Sequence, residues 1–219
     1  MLDDITNFFK NLKLADEPVT PNFKPDVVDK LMKPALLPIE LYKNSRPWKG
    51  IVIHHSSTVD GRANDWEAIR KYHMSYRVDG TSVGKEEFEL KQAMRIGTTF
   101  EKPWRDIAYH LGLEYEFDEL KVRIGRPLSD MGAHAGISGN NTFNETHIGI
   151  CIVGDFDKAA PTLQVLEMLS SIAKELMGRY SFGKEAVLGH REIYPILKVP
   201  VQKTCPGKMF SMDGLRLGL

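Results

Sequence analysis

The stretch that decides the fold is Ile51-Val52-Ile53-His54-His55-Ser56-Ser57, residues 51–57. Three consecutive β-branched apolar residues turn abruptly into imidazoles and hydroxyls. A strand buried on both faces reads this way, and its polar end marks the point where it reaches the edge of a sheet. Successive side chains of a strand point to opposite faces, so His54 and His55 cannot share a role.

Further patterned segments lie downstream. Asp65 to Tyr76 has helical spacing, with Trp66, Ile69, Tyr72 and His73 near one face. Ile107 to Tyr115 alternates like a strand, as does Lys121 to Ile124, and His147 to Val153 is the most apolar strand candidate. Leu163 to Tyr180 carries Leu166, Leu169, Ile172, Ala173, Leu176 and Met177 at three-to-four spacing, with Thr162 placed as N-cap. A short strand over Glu185 to Leu188 leads into Gly189-His190. Interleaved strands and helices predict an α/β fold with a single central mixed sheet flanked by helices.

Residues 1–48 differ in kind. Six of the 12 prolines fall between Pro18 and Pro47, which predicts a proline-rich N-terminal extension with a short amphipathic helix near Ile5–Leu14. The expected division is therefore an arm over 1–48 and a catalytic or binding body over 49–219. Lys plus Arg equals Asp plus Glu at 29 each, so no global field points to nucleic acid or an anionic membrane. No apolar run approaches the roughly 18 residues of a membrane span, and the first residues lack the charge and apolar run of a secretory leader. The expectation is synthesis in the cytoplasm, with no stable membrane insertion. Two cysteines, Cys151 and Cys205, cannot build a disulfide framework, although one bridge between them is open.

His54, His190 and Cys205 each stand at the end of an apolar segment. Two imidazoles and a thiolate match the ligand count of a catalytic zinc site. On spacing alone, buried polar side chains capping strands explain the same three residues.

Six short motifs carry further information: IVIHHSST (51–58), IAYHLGLE (107–114), GRPLSDMGAHAG (125–136), NETHIGICIVGDF (144–156), GHRE (189–192) and KTCPG (203–207). Their order resembles that of zinc-dependent N-acetylmuramoyl-L-alanine amidases of the amidase-2 family, which includes T7-type phage lysozyme and the peptidoglycan recognition proteins. The resemblance implies that His54, His190 and Cys205 bind Zn2+, that Tyr109 faces the reacting water, and that Lys203 stabilises charge on the substrate oxygen. It implies hydrolysis of the amide between N-acetylmuramic acid and L-alanine, with peptidoglycan or muropeptides as partner, in a phage endolysin or a bacterial wall-lytic enzyme. A non-catalytic peptidoglycan-binding module and a cytoplasmic muropeptide-recycling amidase are the alternatives. His134 matches a groove residue and is expected to touch substrate. His55 is expected to pack or to support a ligand, Cys151 to be a small buried hydrophobe, and His73 and His110 to be structural. A Cys151–Cys205 disulfide and a Cys205 metal ligand exclude each other. Relative to the family, residues 77–102 look inserted and form either a wall of the groove or a surface elaboration. The segment Tyr194–Gln202 is expected to be a loop near the site.

Overall fold

A computed structural model describes residues 37–57 and 65–219. The amphipathic segment expected near Ile5–Leu14 lies outside these residues, as does most of the proline-rich stretch.

The centre is a five-stranded sheet in the order β6-β5-β7-β1-β8, built from β1 (Gly50–His55), β5 (Leu111–Glu116), β6 (Glu119–Ile124), β7 (His147–Ile152) and β8 (Val187–Gly189). Strand β1 runs parallel to both β7 and β8, β5 runs parallel to β7, and β6 closes the edge as an antiparallel hairpin partner of β5. The sheet is therefore mixed. All six residues of β1 are buried, as its unbroken apolar run requires of a strand covered on both faces.

Helices supply the cover. Helix α4 (Leu163–Tyr180) places Leu169, Ile172, Ala173 and Leu176 against Ile51, Ile53, Ile148 and Ile150 in the main core. Each such side chain contributes about 1.5–3 kcal/mol through removal from water. Thr162 caps the helix by accepting from the Val165 N–H. On the other face, α3 (Thr142–Thr146) brings Phe143, and α5 (His190–Ile196) brings Ile193 and Tyr194, against Val52. Helix α1 (Trp66–His73), capped by the Asp65 carboxylate, lays Trp66 and Ile69 beside Cys151 and Ile107. Helix α6 (Met212–Leu217) ends the chain on the main core through Met212 and Leu215.

Part of the stretch read as an arm is docked on this body. Leu37 and Trp48 are buried in the main core, Tyr42 donates to Glu175 at 2.5 Å, and the Trp48 indole donates to the Leu128 carbonyl at 3.0 Å. The strand expected over Ile107–Tyr115 begins only at Leu111. Residues 107–110 instead serve as an irregular scaffold, in which the Ala108, Tyr109 and His110 carbonyls accept from Ala133, Arg126 and Gly125. Residues 107–110 are largely buried on irregular backbone, and sheet pairing begins where the His110 N–H donates to Gly149 of β7 at 2.9 Å.

Residues 76–101 form a small lobe of their own. It contains a three-stranded antiparallel sheet, ordered β3-β2-β4, of β2 (Tyr76–Val78), β3 (Thr81–Val83) and β4 (Phe100–Glu101). Helix α2 (Lys85–Ala93) packs on it through Phe88. Arg77 is 1% exposed; it donates to the Tyr72 carbonyl at 2.6 Å and to Glu101 at 3.2 Å, between the rings of Tyr72 and Trp104. Among the described residues, no helix is long and apolar enough to cross a membrane.

Candidate metal centre

Sheet register puts the two histidines of the triad side by side. Ile53 pairs with Gly189, so the next residues along each parallel strand, His54 and His190, emerge at the same level. Their rings lie 4.7 Å apart between centroids. Cys205 arrives from the loop after α5, with its Sγ 3.6 Å from His54 Nδ1. One ligand atom from each of the three residues lies within 4.8 Å of the other two, and all three side chains are buried.

The Cys205 loop is held from two sides. From α5, the Arg191 N–H donates to the Cys205 carbonyl at 2.7 Å, while its guanidinium donates to the carbonyls of Thr204, Gly207 and Phe210. From the loop after β7, Asp157 accepts from the Thr204 hydroxyl at 2.7 Å and from the Lys208 N–H at 2.8 Å. Neither Arg191 nor Asp157 stood out in the sequence. The proximity of Arg191 to His190 and the Gly-Asp-Phe end of β7 were the only signals.

Electrostatics suit a cation. Burial, with a smaller contribution from Lys203, holds the His190 pKa down at about 4, and burial followed by neighbouring imidazoles holds His54 well below 6.5. Both rings are therefore neutral at pH 7 and offer lone pairs. His190 Nε2 is buried and has no hydrogen-bond partner among the described residues. An orphaned buried nitrogen is costly, and coordination is one way to satisfy it. Burial also raises the Cys205 thiol to about 12, so the sulfur ligates only when a cation compensates the thiolate. The residues present thus fit a zinc ion in donor type, number and protonation. Cys151 and Cys205 are both free thiols, and Cys151 is fully buried among Trp66, Ile69 and Ile107.

The triad lies at the base of a cleft of about 880 Å³. Tyr109 and Lys203 both line it. The Tyr109 ring stands 5.1 Å from that of His54, and burial holds its phenol well above pKa 10, with the thiols of Cys151 and Cys205 adding to the shift. The positive charge of Lys203 on the cleft wall helps to lower the pKa values of His54, His190 and Cys205. The cleft wall includes Glu101 from the lobe, Trp104, and His73 stacked on Trp104 at 4.8 Å. Of residues 77–102, Glu101 lines the cleft. His73 also accepts from the Ala108 N–H, which joins packing to cleft lining.

His55 lies on the opposite side of β1, where its Nδ1 accepts from the Phe156 N–H at 3.1 Å and its ring stacks on that of Phe156. His110 is structural: its Nε2 donates to the Asp130 carbonyl and its Nδ1 accepts from the Gly149 N–H. His134, expected to touch substrate, also makes contacts within the protein. It borders the cleft but is 7% exposed, with Nδ1 3.0 Å from His54 Nε2 and Nε2 3.2 Å from the His147 carbonyl. Both ring nitrogens thus have partners within the protein. The segment Tyr194–Gln202 is only partly a loop, because α5 continues to Ile196.

Comparison with known proteins adds to this geometry. The endolysin of Enterobacteria phage K11 is 30% identical over 111 residues, which are 48% of this chain and 62% of that endolysin, so the match spans less than two thirds of the relative. A selenomethionine derivative of AmpD shares the fold, with a TM-score of 0.50 at 18% identity over 80% of this chain and 88% of that one. The N-acetylmuramoyl-L-alanine amidase LysC from Clostridium intestinale URNW aligns with a TM-score of 0.47 at 20% identity, covering 79% of this chain and 85% of that one. A family model described as N-acetylmuramoyl-L-alanine amidase matches residues 44–208, a span that takes in the whole sheet, the cleft and all three candidate ligands. On that match, this chain belongs to the N-acetylmuramoyl-L-alanine amidase family.

Proposed function

We propose that His54, His190 and Cys205 hold a zinc ion, and that the protein hydrolyses the amide joining N-acetylmuramic acid to L-alanine in peptidoglycan. The observation that carries this reading is the convergence of the three ligand atoms at the base of the cleft, within 4.8 Å of one another, in a chain of this family. When bound there, zinc supplies Lewis acidity and lowers the pKa of water toward ~7.

The chain's own residues account for the remaining chemistry. Neutral His54 and His190 present lone pairs, and Cys205 gives up its proton on ligation, so metal uptake releases that proton. Lys203 brings an ammonium to the cleft, where it stabilises negative charge developing on the amide oxygen. Tyr109, with its raised pKa, stays protonated at neutral pH and acts by hydrogen bonding, orienting the reacting water instead of removing its proton. Trp104 and His73 give the cleft an aromatic wall on which a sugar or peptide can lie. We assign the hydrolytic unit to residues 49–219, with 37–48 as a strap docked on it. The phage K11 relative favours a wall-lytic role of the endolysin kind.

Incubation of the zinc-loaded protein with purified peptidoglycan is expected to release peptides with a free L-alanine amino terminus, identified by mass spectrometry. Intact lactyl-peptide links after exhaustive digestion, with zinc present at one equivalent, would refute the reading.

A further inference from the structure

His134 uses both ring nitrogens inside the protein, and the identity of its partners fixes where the protons lie. A backbone carbonyl can only accept, so the contact with the His147 oxygen at 3.2 Å requires the hydrogen on His134 Nε2. A neutral imidazole carries a single ring hydrogen, so His134 Nδ1 is then a bare acceptor. The atom 3.0 Å away, His54 Nε2, must therefore carry its own hydrogen. A neutral His54 protonated at Nε2 has an unprotonated Nδ1, the atom that lies 3.6 Å from Cys205 Sγ. The thiol contact is compatible with this, since a Cys205 S–H can donate to a bare nitrogen.

The His134 ring sits in a close-fitting slot. A Cβ on Gly132 would come within 2.3 Å of its Cδ2, and one on Gly149 within 2.4 Å, so two glycines on opposite elements make the slot it fills. Its backbone is pinned as well: Asn144 Oδ1 accepts from the N–H of both His134 and Ala135, at 2.8 and 2.7 Å.

We propose that His134 is a positioning residue that sets the tautomer of His54: anchored to the His147 carbonyl, it accepts the His54 Nε2–H and so turns the Nδ1 lone pair of His54 toward His190 and Cys205. The inference rests on the metal-centre reading above and extends it by one residue. A ligand whose tautomer is already correct binds metal without first moving a proton, and hydrogen-bonded partners of this kind typically change metal affinity by about 10–100-fold.

Two measurements on the full chain test it. In metal-free protein labelled at its histidines, long-range proton–nitrogen correlation spectra are expected to show His54 protonated at Nε2 and bare at Nδ1. In His134→Leu, that preference is lost and zinc affinity, read by competition with a chromophoric chelator, falls by about 10–100-fold. His134→Asn, which keeps an acceptor near the Nδ1 position, recovers most of the affinity. A His54 carrying its proton on Nδ1 in the metal-free wild type would overturn the proposal, as would wild-type zinc affinity in a folded His134→Leu variant. If the leucine variant does not fold, the wild-type spectrum and the asparagine variant decide. Failure of the metal-centre reading is separable, since the wild type would then bind no zinc whatever tautomer His54 adopts.

Discussion

The five-stranded sheet and the lobe of residues 76–101 solve the problem of order in opposite ways. Strand β1 is buried along its entire length, and its partners are far away in the chain. In the lobe, burial is confined to a few residues such as Arg77, Val78 and Phe88, while Leu90 on α2 and Met94 just after it remain 60% and 61% exposed. Polar contacts take the place of a core there. Asp79 accepts from the amides of Thr98 and Thr99 and from the Thr98 hydroxyl, which holds its pKa near 2, and Arg77 spans Tyr72 and Glu101. The candidate ligands gather at the end of the apolar sheet, whose close packing fixes atoms; the lobe reaches the cleft through Glu101, where small displacements are tolerable.

That division can be broken at several points. Cys205→Ser is expected to abolish both zinc retention and wall hydrolysis while the sheet stays folded, as read by metal analysis and circular dichroism. Activity retained without metal would end the distinction between a metal-bearing sheet and a rim. Ile150→Ala removes a fully buried side chain from the centre of β7 and should cost about 2–5 kcal/mol of stability, measured by denaturant unfolding. Lys203→Met should lower kcat on the order of 10²–10³-fold with zinc content unchanged, because only charge stabilisation is lost.

Acid provides a finer probe. Burial, as the largest cause, holds His110 and His73 near pKa 4 in the folded chain, below the unfolded value of 6.5. Such depressed imidazoles contribute stability that is fully present above pH 6.5 and lost as pH falls toward 4. The expected slope is up to about 1.4 kcal/mol per pH unit for each fully buried ring. Unfolding curves of metal-free protein across that window measure it, and His110→Gln should flatten the slope. The smallest effect belongs to the lobe side. Trp104→Ala is expected to raise KM several-fold, equivalent to about 0.5–1.5 kcal/mol, with kcat and zinc affinity unchanged. A fall in zinc affinity instead would join the rim to the centre.

Legibility in the sequence follows the same divide. Ile51–Ile53, His147–Val153 and Leu163–Tyr180 were readable because buried strands and amphipathic helices leave periodic apolar patterns. The candidate ligands were readable through short motifs at strand ends. The lobe left no such pattern, since its order depends on side chains such as Arg77 and Asp79 that bond irregular backbone. His134 was visible as a residue near the groove, but its commitment to His54 was not. That depends on a slot between Gly132 and Gly149, which come from different parts of the chain.

The grip of Arg191 on the Cys205 loop has a consequence for how such enzymes can diversify. Because Arg191, next to His190, clasps the backbone around Cys205, the two candidate ligands are tied together by a link other than the chain that joins them. Residues 197–202, which stop short of Lys203, can then vary in length or composition, remodelling one bank of the cleft while the spacing of the candidate ligands is preserved.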